Sequence, residues 1–251
     1  MAEKPSVIRE TDDAARKLAR VLLRSARYAA LAVLDPDSGF PAVSRVLVGS
    51  DIDGAAVILV SSLSAHTRAL DHDPRVSLLC GEPGKGDPLA YPRLTVQCLA
   101  EPVAADGPDH RRLRNRFLAR HPKSALYIDF ADFRFIRLPV QTASLNGGFG
   151  RAYHLTGDDF AIALPHPGDT AASDAAAGAL LDLVLQQPDK ATAVAMAHCG
   201  AKTGKWHCCG ADMAGIDLIC GDRLLRYEFA TPLERVEDII SELANTEYPI
   251  P

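Results

Sequence analysis

The stretch that decides the fold begins with Ser44-Arg45-Val46-Leu47, continues with Val60-Ser61-Ser62-Leu63-Ser64-Ala65-His66-Thr67-Arg68 and ends with Asp73-Pro74-Arg75-Val76-Ser77-Leu78-Leu79. In it, hydroxyl groups and a guanidinium follow directly on an apolar run that is typical of a strand. Ser64 is placed to cap a helix from Ala65 to about His72, whose first N–H groups and dipole favour an anion. The pattern predicts a phosphate site there, to which Arg45 on the neighbouring strand adds a bidentate donor.

Short apolar runs on both sides of this stretch predict an antiparallel sheet. The runs are residues 28–34, 42–48, 55–60, 76–80 and 94–99. The turn signals between them are Asp-Pro-Asp-Ser-Gly at 35–39, Asp-Ile-Asp-Gly at 51–54 and a glycine and proline cluster at 81–92. Short strands joined by tight turns are typical of a barrel or sandwich, here of roughly six strands. A further strand or strand pair is predicted over residues 133–145.

Two helices are predicted beside these strands. The first opens the chain, because Ala14, Leu18, Val21 and Leu22 recur at helical spacing. Its arginines fall on the other side, and we interpret them as a solvated face: Arg16, Arg20, Arg24 and Arg27. The second helix is predicted from Pro108 to Arg120, and Pro122 marks its end.

The pattern changes between residues 156 and 172, where two prolines and glycines interrupt it. We place a boundary near residue 164, which predicts one domain of residues 1–164 and a second of residues 165–251. The elements predicted in the second domain are a helix capped by Ser173, a hairpin of residues 213–220 and 224–229, and a helix opened by Thr231-Pro232-Leu233-Glu234. The predicted fold class is therefore α+β, with a small α-β-β-α domain after an antiparallel barrel.

Charge and composition exclude several kinds of partner. A formal net charge of -5 and a pI near 5.9 provide no broad attraction for polyanions, so no nucleic acid is predicted as a partner. The apolar stretch from Leu22 to Leu34 is interrupted by Arg24 and Arg27, and no other segment approaches membrane-spanning length. We therefore expect a cytoplasmic protein with no membrane contact, whose six scattered cysteines stay reduced.

Two short motifs, His198-Cys199 and His207-Cys208-Cys209, raise the question of a metal site, since thiolates and imidazoles are zinc ligands. Zinc knuckles need two residues between paired cysteines, and the adjacent Cys208 and Cys209 would point to opposite faces of a strand. We interpret these cysteines as small buried thiols and predict no metal site.

The order of these motifs resembles the FMN-binding split-barrel proteins related to pyridoxamine 5′-phosphate oxidase, and most of all their haem-utilisation branch. The further matching pieces are Tyr91-Pro92-Arg93-Leu94-Thr95, Arg120-His121-Pro122, Asp132-Phe133 and Asn146-Gly147-Gly148-Phe149-Gly150-Arg151-Ala152. The resemblance covers roughly the first 155 residues, and two later pieces resemble the small domain often appended in that branch. It implies an antiparallel split β-barrel with flanking helices, followed by a small α+β domain. It also implies a homodimer with the cofactor at the subunit interface.

The resemblance also implies which residues bind the cofactor. The FMN phosphate would be held by Arg45, Ser62, Thr67 and Arg68. Val46 and Leu47 would lie along the isoalloxazine ring, Ser61 near the ribityl chain and Arg93 near the ring. His66, at the start of the predicted helix, is a further candidate donor to the phosphate, although an exposed histidine at a helix start is common.

No catalytic residue is predicted, because the sequence shows no Ser-His-Asp order, nucleotide-binding glycine loop or Walker motif. In flavin chemistry the cofactor transfers the electrons and the protein places it. The leading hypothesis is therefore an FMN-dependent oxidoreductase that acts on an unknown small-molecule substrate. The alternatives are a haem-binding or haem-degrading protein for iron utilisation and a non-catalytic flavin-binding module. In the haem-degrading branch a histidine of the C-terminal tail ligates the iron, and here no histidine follows His207.

Overall fold

The computed structural model describes residues 8–148 and 150–244, which form two compact units. The first unit comprises residues up to 48, residues 55–103 and residues 129–160. The second unit comprises residues 49–54, residues 104–128 and the chain from residue 161. These units interleave along the chain, whereas the predicted domains 1–164 and 165–251 are each continuous, and that division stays a prediction.

A curled ten-stranded sheet with flanking helices confirms the predicted split barrel. Its strands are β1 (Ile8–Arg9), β2 (Tyr28–Leu34), β3 (Pro41–Ser50), β4 (Ala56–Ser61), β5 (Arg75–Cys80), β6 (Arg93–Leu99), β7 (Glu101–Pro102), β8 (Phe133–Leu138), β9 (Val140–Asn146) and β10 (Ala152–Thr156). Their order across the sheet is β1-β10-β9-β6-β5-β2-β3-β4-β8-β7. The predicted runs are all strands, and short strands at the edges account for the larger number.

Three helices lie between these strands along the chain: α1 (Asp13–Ser25) and α2 (Ala65–His72) in the first unit, and α3 (Pro108–Arg120) in the second. Short 3-10 turns lie at Pro88–Ala90, Pro122–Leu126 and Gly157–Asp159. The predicted bounds of α2 and α3 are those found. α2 packs on the core of the sheet through Ala69 and Leu70, which share one apolar cluster with Leu31 of β2.

Each central strand has one face on this core and one face turned away from it. In β2 buried residues alternate with partly exposed ones, as expected for a strand that is covered on one side. The register places Arg45 opposite Ala30, Ala30 opposite Leu79, and Leu79 opposite Thr95. We call the side of the sheet that carries these four residues the outer face.

The buried face of the first helix lies one residue further along the chain than predicted. Ala15, Ala19 and Leu23 are its buried apolar residues, and Arg24, predicted to be solvated, is only 3% exposed. Small alanine side chains at two successive turns let the helix lie close to the sheet. The long arginine stem can be buried in such packing, and helical spacing alone does not reveal which neighbouring stripe faces inward.

The second unit contains a three-stranded antiparallel sheet and three further helices. The helices are α4 (Thr170–Leu185), α5 (Pro188–His198) and α6 (Asp238–Ala244), and the strands are β11 (His207–Asp212), β12 (Gly215–Cys220) and β13 (Arg223–Glu228). A small C-terminal α+β arrangement is thus confirmed, but its order is α-α-β-β-β-α and the predicted α-β-β-α order is wrong.

The starts of the three helices differ from those predicted. Asp169, not Ser173, caps α4, because its side chain accepts from the backbone N–H of Ala172. Pro188 follows the end of α4 at Leu185 and also stands in the first turn of α5, where proline is favoured. The Thr231 capping pattern does not start a helix, since α6 begins at Asp238 and buries Ile239 and Leu243 while Ile240 is exposed.

Candidate functional site

The site begins where β4 ends, in a turn that Ser61 and Asp132 hold together. The Ser61 hydroxyl donates to Asp132 Oδ2 at 2.5 Å, and the backbone N–H of Ser62 donates to the Asp132 carbonyl at 2.7 Å. Asp132 directly precedes β8, whose first residue, Phe133, lies opposite Ser61 in the sheet. The turn is therefore attached to the last rung of the β4–β8 ladder.

Further bonds from the same turn lead into α2. The Ser61 hydroxyl accepts the N–H of Leu63 at 3.1 Å, and the Ser61 carbonyl accepts the N–H of Ser64 at 3.0 Å. The Thr67 hydroxyl donates to that same carbonyl at 2.7 Å, and the Thr67 side chain is fully buried. Thr67 was predicted to bind the phosphate, but its hydroxyl proton already donates to the Ser61 carbonyl.

After these bonds, a small set of donors remains at the start of α2. The N–H groups of Ala65 and His66 have no acceptor within residues 8–148 and 150–244, as is usual for the first turn of a helix. The hydroxyls of Ser62 and Ser64 also have no recorded partner there, and Ser64 makes no side-chain cap bond. We call these four donors the anion cradle. Their placement after a strand and at a helix N-terminus suits a phosphate group.

His66 borders the cradle and is held by β3. Its Nδ1 lies 3.2 Å from the Ser44 hydroxyl, and its side chain is partly buried. Burial lowers the pKa of His66 below its usual value of 6.5, so the ring is neutral at pH 7. The backbone N–H of His66 does not titrate and can donate at any pH. The imidazole ring, in contrast, carries a positive charge only at acid pH.

Arg68 lies one turn along the helix, at the mouth of a cleft of about 130 Å³. Its Nη2 is 2.8 Å from Asp37 Oδ2, and both side chains are more than 60% exposed, at 63% and 72%. Asp37 comes from the predicted turn between β2 and β3. An exposed pair of this kind is weak, so the guanidinium can exchange its carboxylate for another anion at small cost.

Arg45 lies on the outer face, because strand alternation directs it away from Ser44 and α2. Its guanidinium carbon is 5.1 Å from the centre of the Tyr28 ring, within cation–π range. The nearby Glu82 carboxylate raises the pKa of Tyr28 above its usual value. In the described part of the chain no hydrogen bond or ion pair joins Arg45 to the cradle.

The other predicted ring contacts are divided between the two faces. Leu47 pairs with Tyr28 and is partly exposed on the outer face, whereas Val46 is 6% exposed and belongs to the core. Val46 can therefore offer a ligand its backbone but not its side chain.

Arg93 begins β6, and its Nη1 donates to the carbonyl of Leu89 at 3.2 Å. Gly81 faces this point with a φ of +107°, and a Cβ there would lie 2.5 Å from the Pro92 carbonyl oxygen. Only glycine allows this close approach of backbones. Three inter-strand spacings of about 4.8 Å separate β3 from β6, so Arg93 lies roughly 14 Å along the sheet from β3.

The structure thus brings some of the predicted residues together and separates others. Ser61, Ser62, His66, Thr67 and Arg68 surround the β4–α2 turn, whereas Arg45, Leu47 and Arg93 lie on the outer face. No role was predicted for Asp132 or Ser44 from the sequence, although Asp132 lies in Asp132-Phe133 and Ser44 in Ser44-Arg45-Val46-Leu47. Asp132 contacts a residue 71 positions away, and no local pattern reveals such a pairing.

The cysteine and histidine motifs of the second unit form no recognisable metal centre. Within the described ranges, no group of three or more histidine, cysteine or acidic side chains is arranged to hold a metal ion. Burial raises the pKa of Cys208 to about 12 and raises that of Cys209 as well, so both thiols are protonated at pH 7. Across the same ranges, no helix has the length and apolar character needed to cross a membrane.

A curled, mostly antiparallel sheet with flanking helices defines a split-barrel protein. The sequence family described as pyridoxamine 5′-phosphate oxidase matches residues 15–146, more than half of this chain. The chain belongs to the pyridoxamine 5′-phosphate oxidase family.

Solved structures support this membership. A protein of unknown function from Agrobacterium tumefaciens is 33% identical, with a TM-score of 0.79 over 96% of this chain and 99% of that one. A haem-binding protein from Mycobacterium smegmatis is 29% identical, with a TM-score of 0.55 over 98% of this chain and 97% of that one.

A curated relative is a haem oxygenase of the chloroplast of Arabidopsis thaliana. It is 32% identical over 120 residues, which are 48% of this chain. The matched region spans only 36% of the length of that relative.

Proposed function

We propose that this protein binds the phosphate of flavin mononucleotide at the anion cradle and acts as an FMN-dependent oxidoreductase on a small molecule. The observation that carries the proposal is the set of four donors left unused at the start of α2. They include two backbone N–H groups at the positive end of a helix, where a phosphate dianion is stabilised by charge as well as by hydrogen bonds.

Each predicted phosphate ligand has a distinct part in this proposal. Ser62 donates its hydroxyl, and Arg68 supplies a guanidinium after leaving Asp37. Thr67 keeps the turn closed through its bond to the Ser61 carbonyl. Arg45 stacks on Tyr28 on the outer face of β3, the strand next to β4, and we propose that its guanidinium turns from that ring to the phosphate when the flavin binds. A bound flavin supplies the electron transfer, and the protein holds and orients it.

The ring of the flavin is proposed to lie against the outer face, where Leu47 and Arg93 are found. Apolar side chains are exposed on this face, including Val43 at 68%, Leu79 at 47% and Leu99 at 41%. A groove of about 440 Å³ also opens there, bordered by Gln97 and Thr142. Exposed apolar surface of this kind marks an interface, and we propose that a second copy of the chain covers it in a homodimer.

Titration with FMN tests the proposal, followed by flavin fluorescence and visible absorption. The double substitution Arg45→Ala with Arg68→Ala removes two charge-assisted contacts to the phosphate, so we expect at least a hundredfold weaker FMN binding. Arg235→Ala is the control, because Arg235 is an exposed arginine of the second unit that pairs with Asp238. It should bind FMN as the unchanged protein does.

Riboflavin, which lacks the phosphate, separates the cradle from the ring site. The double variant should lose little of its riboflavin affinity, since the ring contacts are intact. A wild-type protein that takes up no FMN contradicts the proposal outright. A folded double variant with unchanged FMN affinity would place the phosphate elsewhere.

Haem binding is the second candidate function, and the full-length similarity to the haem-binding protein from Mycobacterium smegmatis favours it. Haem carries two propionates, and the same cradle suits a carboxylate. The tail residues 245–251, which contain no histidine, lie outside the described residues. A Soret band on haem titration that FMN does not displace would favour this candidate over the flavin.

A flavin-binding module without catalysis is the third candidate. Rapid reduction of the bound flavin by a nicotinamide cofactor would favour the oxidoreductase, and failure with both nicotinamide cofactors would favour the module. The cytoplasmic location stays a prediction under all three.

A further inference from the structure

We infer that Asp132 is a positioning residue of the anion cradle, which decides which N–H groups of the β4–α2 turn are offered to the phosphate. This inference rests on the proposed function of the cradle. Within the described residues, Asp132 makes no hydrogen bond to the four donors of the cradle. Its carboxylate accepts a hydrogen bond from the Ser61 hydroxyl at 2.5 Å, and its backbone carbonyl accepts one from the N–H of Ser62 at 2.7 Å.

The direction of the Ser61 hydroxyl follows from Asp132. A serine hydroxyl has one hydrogen and two lone pairs, and a carboxylate only accepts. Because the hydrogen points to Asp132 Oδ2, a lone pair is left for the N–H of Leu63 at 3.1 Å. Without the carboxylate the hydroxyl is free to rotate, and it no longer holds Leu63 in one position.

The bonds in the turn divide its backbone N–H groups into two sets. Those of Ser62, Leu63 and Ser64 are used inside the protein by Asp132 and Ser61. Those of Ala65 and His66 follow at once and have no acceptor within the described ranges. The Asp132 carboxylate orients the Ser61 hydroxyl that accepts the Leu63 N–H, and it thereby fixes the turn that leads into the start of α2.

A carboxylate this close to a phosphate site also carries an electrostatic cost. Like charges repel, and the repulsion acts on phosphate but not on neutral ligands. An asparagine at position 132 keeps an acceptor oxygen for Ser61 and removes the charge. The hydrogen bond and the charge of Asp132 therefore have opposite effects on phosphate affinity, and substitutions separate them.

The experiment compares Asp132→Ala, Asp132→Asn and wild-type protein for FMN and riboflavin binding. We expect Asp132→Ala to weaken FMN binding about tenfold, which is the effect of one lost charge-assisted hydrogen bond, about 1.4 kcal/mol. Riboflavin binding should change less than twofold. Asp132→Asn should restore FMN affinity to the wild-type value or above it. Asp71→Ala is the matched control, because Asp71 is an acidic residue on α2 that pairs with Arg134 away from the cradle.

Amide hydrogen exchange without ligand gives a second readout for the case in which Asp132→Ala is poorly folded. Faster exchange confined to residues 61–68, with protection of β5 and β6 unchanged, supports the positioning role. Wild-type protein that binds FMN while Asp132→Ala binds it equally well overturns the inference alone. Equal losses for FMN and riboflavin also overturn it, since they indicate a merely structural role. Wild-type protein that binds no FMN overturns the proposed function together with the inference.

Discussion

A charged pair beside the cradle in the first unit and a charged cluster in the second unit differ in how deeply they are buried. In the first unit, Arg68 and Asp37 are both largely exposed beside the cradle. In the second unit, Arg226 is buried between Asp212 and Asp217, at 2.6 and 3.3 Å, and all three side chains are at most 3% exposed. An exposed pair exchanges partners at little cost, whereas a buried charge must keep its partners.

An anionic ligand can therefore replace a carboxylate at the exposed pair but not in the buried cluster. The second unit also buries Arg112 against Asp51 with two bonds of 2.8 and 2.9 Å. Both of these buried arginines are therefore already paired with carboxylates. In the first unit the guanidinium next to unused backbone donors remains available. This contrast supports the proposal that the cradle binds an anion. Three predictions follow from comparing buried with exposed side chains, from the largest expected change in free energy to the smallest.

The largest effect is expected from Arg226→Met, which removes the cation buried between Asp212 and Asp217. We expect the free energy of unfolding to fall by about 4 kcal/mol, as is usual when one partner of a buried pair is removed. Urea unfolding at pH 7 measures it. Arg235→Met is the control, since Arg235 is 75% exposed in its pair with Asp238 and its loss should leave stability unchanged. Equal stability of both variants would contradict the contrast between buried and exposed pairs.

A smaller effect is expected from Leu78→Ala in the apolar core of the first unit. Leu78 is fully buried on β5, so its truncation leaves a cavity and should cost about 3 kcal/mol. Leu79→Ala, the next residue, is the matched control, because Leu79 is 47% exposed on the outer face. Its substitution should cost little in unfolding but weaken the proposed homodimer, which sedimentation over a range of concentrations measures. If Leu79→Ala leaves the association unchanged, the outer face is not the interface.

The sequence predicted best what depends on neighbouring residues. Alternation in residues 28–34 and the helical signal at Ala65–His72 each involve contacts within a few positions, and both elements were found with those bounds. The strand β11 was missed, because His207-Cys208-Cys209-Gly210 lacks alternation and is buried along most of its length. Helix α5 was not predicted, although Pro188, which follows the end of α4, also stands in its first turn.

The candidate site was predictable in its position but not in its bonding. The residue types after β4 indicated an anion site, and the unused donors of the first helical turn support it. The sequence could not show that Thr67 is buried or that Ser61 belongs to Asp132, because both facts depend on packing between distant segments. It also could not show that Arg68 has a competing carboxylate. Asp37 is 31 positions away, in a turn that local patterns predict without its contacts.

The smallest effect is expected from substituting Asp37, the carboxylate that competes for Arg68. This substitution tests the exposed pair of the comparison. Asp37→Asn frees Arg68 from its pair, so phosphate no longer has to displace a carboxylate. We expect FMN affinity to rise about threefold at low salt, as a weak surface pair allows, with stability unchanged. The gain should shrink at high salt, where both interactions of Arg68 are screened. Asp37→Asn in the Arg68→Ala background is the control and should bind FMN no better than Arg68→Ala itself. A gain that persists without Arg68 would mean that Asp37 repels the phosphate directly rather than by occupying the guanidinium.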